Sequence, residues 1–84
     1  MDYKKIVAEE IQKLVSEHLT YDQVYQLLEV PKYTEHGDVA FPAFALAKAL
    51  RKAPQAIAGD LAAQLNHPYI AKVEAIGPYV NLFL

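Results

Sequence analysis

Hydrophobic positions recur every three or four residues through most of the chain and every second residue at its end. Val7, Ile11, Leu14 and His18 fall at i, i+4, i+7 and i+11, with Ile6 and Val15 widening the stripe. This spacing predicts a packing helix from an Asp2 cap to about Leu19, with Glu9 and Lys13 as an i,i+4 pair on its wet side. Thr20-Tyr21-Asp22-Gln23 has the form of a capping box and starts a short second helix. Leu27 to Val30, halted by Pro31, predicts a short strand, and the polar residues Lys32 to His36 a loop. Gly37 to Phe41 predicts a second short strand. Pro42 suits the first turn of a helix to about Lys52, with Ala43, Leu46, Ala47 and Leu50 inward. Pro54 opens a further helix to about Leu65, in which Ile57, Leu61 and Leu65 are flanked by Ala58 and Ala62. Gly59 inside it costs about 1 kcal/mol relative to Ala, and Asn66-His67-Pro68 ends it.

Alternation then takes over. Tyr69 to Ile76 reads as a strand. From Tyr79 onward, Val80, Leu82 and Leu84 share one face, which reads as core, and Tyr79, Asn81 and Phe83 the other. Gly77-Pro78 between these runs is a turn signal, so the two strands form an antiparallel hairpin. The order α, ββ, α, α, ββ predicts an α+β fold: a two-layer α/β sandwich with a small antiparallel sheet and three to four helices.

Composition narrows the picture. A chain of 84 residues makes one domain, residues 1–84. It buries roughly 60–65% of its unfolded surface, enough for one modest core. With 54% hydrophobic residues it is too apolar for disorder, and its many alanines call for closely spaced elements. Cysteine is absent, which excludes disulfides and thiolate metal sites. No apolar run approaches the roughly 18 residues of a membrane span, and the N-terminus lacks a signal-peptide core. A formal net charge of -2 argues against a domain that coats nucleic acid by charge alone. The final Leu82-Phe83-Leu84 lacks a polar tail, the pattern expected of a domain cut from a longer protein.

The residues offer little catalytic chemistry. His18, His36 and His67 are scattered, with no ligand spacing that would make a metal site. Ser16 is the only serine, mid-helix, and no nucleophile motif or phosphate-binding glycine loop is present. No residue is therefore assigned a catalytic or metal-binding role. Lys48, Arg51 and Lys52, with Lys72 as a further member, form the one basic patch, readable as a solvated face or as a phosphate contact. Tyr79 and Asn81 read either as an ordinary exposed strand face or as a ring and an amide able to stack on a base and bond its edge.

Two stretches carry a resemblance. One is Gly37-Asp38-Val39-Ala40-Phe41-Pro42 with Leu46-Ala47-Lys48, Pro54 and Ile57-Ala58; the other is Lys72-Val73-Glu74 with Gly77-Pro78-Tyr79-Val80-Asn81. In this order and spacing the chain resembles the N-terminal additional domain of arginyl-tRNA synthetase, over nearly its whole length. Many members have Ala-Thr-Asn where this chain has Ala40-Phe41-Pro42; both forms resemble the family. The resemblance implies a parent class I ligase that attaches arginine to tRNA(Arg) in the cytoplasm. ATP, with Mg, and arginine would bind a Rossmann catalytic domain later in the same chain, leaving this fragment non-catalytic and without a cofactor. Membrane and DNA are not among the partners implied. The family's additional domain touches the tRNA elbow at the D-loop, in some members through a Gly-Pro-aromatic-x-amide turn. Carried over, RNA contacts fall on Gly77, Pro78, Tyr79 and Asn81, with Lys48, Arg51 and Lys52 toward the backbone. Tyr79 replaces the more usual Gly after Gly-Pro, which favours stacking. The residue before Gly77, polar in some members, is Ile76, so a third base contact is not carried over. The rival reading is a protein-interaction domain using the face of Tyr79 to Phe83.

Overall fold

The structure, a computed structural model, describes residues 2–32 and 34–84. Asp2 caps helix α1 (Tyr3–Leu14), its Oδ1 accepting from the Lys5 N–H at 3.3 Å. The helix ends five residues earlier than its periodicity suggests. Val15 leaves helical geometry, and a separate turn follows in which the His18 and Leu19 N–H groups donate to the Val15 carbonyl. That break moves the buried stripe to Val7, Ala8, Ile11 and Val15 and leaves Leu14 and His18 exposed. The Lys13 ammonium pairs with Glu10 at 2.8 Å instead of Glu9. That hydrogen bond is the main cause of a raised Lys13 pKa.

Helix α2 (Tyr21–Leu27) starts from the capping box seen in the sequence. The Gln23 N–H donates to Thr20 Oγ1 at 3.2 Å and the Thr20 N–H to Gln23 Oε1 at 2.9 Å. Tyr25 Oη donates to Asp2 Oδ2 at 3.2 Å, which ties α2 to the start of α1 and raises the Tyr25 pKa. Desolvation raises that of Tyr21. The strand expected over Leu27 to Val30 shrinks to a single bridge, Glu29 with Ala40, because α2 runs on to Leu27 and Leu28 serves as its cap. A 3-10 turn, Thr34–His36, lies in the expected loop, of which Tyr33 falls outside the described residues.

Strand β1 (Val39–Pro42) extends one residue past the expected end: Pro42 closes the strand instead of opening a helix. A proline is tolerated there because β1 is an edge strand. A 3-10 turn (Ala43–Leu46) follows and passes into the one-turn helix α3 (Ala47–Leu50). Arg51, left-handed at φ 53°, turns the chain into helix α4 (Pro54–Gln64). Strands β2 (Lys72–Ile76) and β3 (Tyr79–Phe83) form the hairpin. Gly77 has φ +57°. Proline cannot take a positive φ, so Gly77-Pro78 fits the type II′ turn, not type I′.

The sheet order is β1-β3-β2, antiparallel throughout, so the last strand in sequence is central. Val39, Phe41, Val80 and Leu82 point to one side and join Val7, Ile11, Val24, Leu46, Ile57 and Leu61 in a single core. Helices α1, α2 and α4, which supply the latter set apart from Leu46, therefore lie on that side, giving the two-layer α+β arrangement expected, with three strands among the described residues in place of four. Register puts Ala40, Asn81 and Glu74 side by side on the opposite face, with Pro42, Tyr79 and Ile76 in the row beside them.

Gly37 and Asp38 fasten the sheet. Gly37 has φ +94°, and a Cβ there would stand 2.8 Å from the Leu82 carbonyl oxygen. The Asp38 N–H donates to that same oxygen, and its Oδ2 accepts from the Leu84 N–H, both at 2.8 Å. The Gly-Asp pair is thus a clamp between β1 and β3.

Candidate functional site

The outer sheet face carries the site. Tyr79 is the first residue of β3, and the turn behind it is held from two directions: by Gly77's backbone and by the Pro78 carbonyl, which accepts from the Ala43 N–H at 2.9 Å. Tyr79 is half-buried between Ile76 and Pro42, and the Phe44 ring meets it edge-to-face, with centroids 5.9 Å apart and planes at 87°. Two residues on, Asn81 departs from the exposed position expected of it: it is only 4% exposed. The cause is nonlocal. The Glu29–Ala40 bridge draws the chain after α2 against the sheet, and Pro31, Lys32 and His36 come to lie over this face.

They leave a cavity of about 380 Å³ lined by Glu29, Pro31, Lys32, His36, Ala40, Ile76, Tyr79 and Asn81, within the size range of small-ligand sites. Asn81 Oδ1 is buried without a hydrogen-bond partner. Buried polar atoms are nearly always bonded, and an orphan costs about 1–3 kcal/mol. An aromatic ring, an apolar wall from Ile76 and an unspent amide together suit a planar guest with a hydrogen-bonding edge. Sequence reading named Tyr79 and Asn81 as candidates but not Glu29, Pro31, Lys32 and His36, which line the same cavity, or Phe44. The available signal for Phe44 was an aromatic lying off the buried stripe of its helix.

The remaining candidates are spread out. Gly77 is exposed, and Pro78 is half-buried with its carbonyl engaged. Lys48, Arg51 and Lys52 are all exposed, but Lys52 is ion-paired with Asp60 of α4. Lys72 lies over the Phe83 ring, 4.4 Å from its centroid, and pairs with Glu74 at 2.9 Å. A larger recess of about 470 Å³ opens between the end of α1 and α4; its Lys13 and Lys52 are neutralised by Glu10 and Asp60. Among the described residues no group of three or more His, Cys, Asp or Glu side chains could hold a metal ion. No helix among them is long and apolar enough to cross a membrane.

Comparison with known proteins matches residues 1–84 to the family described as the arginyl tRNA synthetase N terminal domain. The chain belongs to this family. Arginine–tRNA ligases from Streptococcus equi subsp. equi and Exiguobacterium sp. are 57% and 54% identical to it over all 84 residues, which is 15% of each relative's length. The solved arginyl-tRNA synthetase of Thermus thermophilus superposes on 96% of the chain with a TM-score of 0.78 at 32% identity, matching 14% of that longer chain. An arginyl-tRNA synthetase N-terminal domain thus has the α+β fold expected from the sequence, with the hairpin turn, Tyr79 and Asn81 inside the matched region.

Proposed function

We propose that this chain is the tRNA-docking domain of a longer, cytoplasmic arginine–tRNA ligase. An unpaired D-loop base at the elbow of tRNA(Arg) enters the cavity beside Tyr79 and Asn81. The observation that carries this reading is that Asn81, whose Oδ1 is buried without a hydrogen-bond partner, lines one cavity together with the Tyr79 ring. Sequence-selective RNA recognition favours splayed, single-stranded bases met by aromatic rings and by hydrogen bonds to their edges. The ring stacks; the amide, which can present either its oxygen or its NH2, reads the edge. Arginine, ATP and Mg belong to the catalytic domain of the same chain, which supplies most phosphate contacts, consistent with the domain's formal net charge of -2. The rival protein-interaction reading loses ground because β3 is central, with both edges paired.

Steady-state arginylation by the ligase tests the assignment. A stacked base is worth about 1–3 kcal/mol by alanine substitution, so Tyr79→Ala should raise the tRNA KM roughly ten- to a hundredfold. Tyr79→Phe should act mildly, and KM for arginine and ATP should hold. A tRNA lacking the D-loop base should be equally poor for wild type and Tyr79→Ala. An unchanged tRNA KM in a folded Tyr79→Ala enzyme would refute the docking role.

A further inference from the structure

Phe44 is a large apolar side chain left 51% exposed one residue beyond the Ala43–Pro78 hydrogen bond. It contributes nothing to the buried core, which Ala43 and Leu46 enter on either side of it. It does not line the cavity either; its ring meets Tyr79 edge-to-face. Building on the docking role above, we propose that Phe44 is a positioning residue: it fixes the plane of the Tyr79 ring so that the cavity is preset for a flat base.

A tyrosine ring at the start of a strand, half-exposed, is free to turn about χ1 and χ2 unless something opposes it. Ile76 and Pro42 confine Tyr79 laterally, through its two cross-strand neighbours. Neither is aromatic, so neither sets the ring's tilt. A perpendicular aromatic neighbour does, because ring edge and ring face carry opposite partial charge and favour this angle. The Ala43–Pro78 bond then matters beyond the turn. It joins the segment holding Phe44 to the segment holding Tyr79, so the two rings keep their relation when either element shifts. A base entering the cavity meets a ring already oriented, and little rotamer freedom is lost on binding.

The test is arginylation kinetics of the ligase with Phe44→Ala, Phe44→Leu and Phe44→Tyr, alone and with Tyr79→Ala, with thermal unfolding confirming that each variant is folded. Phe44→Ala and Phe44→Leu should raise the tRNA KM about three- to tenfold, from the energy of an edge-to-face pair. They should leave kcat and the KM for arginine unchanged. Phe44→Tyr, which keeps the ring, should restore the tRNA KM. In the Tyr79→Ala background, Phe44→Ala should have no further effect. Additive effects, full activity of the leucine variant, or a normal tRNA KM in Phe44→Ala would each overturn the proposal. If Tyr79→Ala itself leaves the tRNA KM unchanged, the docking role fails with it; if only Phe44→Ala does, this inference alone fails.

Discussion

Replacing Asn81 by leucine separates a residue kept for binding from one kept for stability. Leucine has the same branching at Cγ, and the cavity beside Asn81 has room for its larger methyls. The change removes an acceptor that is buried without a partner. Such an orphan costs about 1–3 kcal/mol, and a domain of this size gains about 4–8 °C in Tm per kcal/mol, so Asn81→Leu should raise Tm by about 4–24 °C. Leucine's better fit to a strand works in the same direction. The same substitution should raise the tRNA KM of the ligase about two- to tenfold, the worth of a neutral hydrogen bond. Asn81→Asp serves as the contrast: it keeps the shape but buries a charge, and should lower Tm. Circular dichroism melts of the chain, with arginylation kinetics of the ligase, measure both effects. A leucine variant that melts at or below the wild-type temperature would refute the reasoning, because the amide would then be satisfied or structural.

Gly37→Ala combines a forbidden φ with a contact to the Leu82 carbonyl and should cost about 2–4 kcal/mol. Gly59→Ala, in open space within α4, should stabilise by up to about 1 kcal/mol, and similar melts for the two variants would contradict both assignments. Changing Lys48, Arg51 and Lys52 together to alanine should reduce the salt dependence of tRNA binding. Lys52→Ala alone should contribute least, since Asp60 holds that ammonium; a dominant Lys52 would argue against the pairing. Tyr25 and Lys13 both titrate above their ordinary values of 10.0 and 10.5, raised chiefly by hydrogen bonds to Asp2 and Glu10. The folded state thus holds these protons more tightly than the unfolded chain. Their contribution is complete below the ordinary values and lost as pH rises through the raised ones. Tyr25→Phe should flatten the alkaline fall in stability; urea midpoints between about pH 9 and 11 with identical slopes for both proteins would exclude this.

Local signals were legible where the chain solves a local problem. The Asp2 cap, the Thr20–Gln23 box and the Gly77-Pro78 turn each satisfy backbone groups within three residues, and each formed as expected. The inward set of β3 was equally plain, since alternation alone separates Val80 and Leu82 from Tyr79 and Asn81. What escaped depends on residues distant in sequence. Asn81 is buried because Glu29 bridges Ala40 and brings Pro31 and His36 over it, and no periodicity in β3 encodes that cover. The 3-10 start after Pro42 advances side chains by about 120° per residue instead of 100°. Of the expected stripe over 43–50, Ala43 and Leu46 are therefore fully buried, while Ala47 and Leu50 pack against the core only half-buried. Lys52 looked free because its partner, Asp60, lies in the next helix.

The position of β3 governs the order in which the domain can assemble as it is synthesised. Strand β1 emerges early, and among the described elements its only sheet contact before β3 is the single bridge to Glu29. Strand β2 pairs with β3 and not with β1. A nascent chain that has reached Pro78 therefore has helices and two unjoined edge strands, with Phe41 lacking its sheet neighbour Val80. Five more residues complete both ladders, cover the core and create the Tyr79–Asn81 cavity in one event. Until then the exposed edges are open to mispairing. Emergence of this last strand is thus the step at which the sheet closes over the core and the cavity takes shape, and a ribosome paused before Tyr79 would hold a chain with neither.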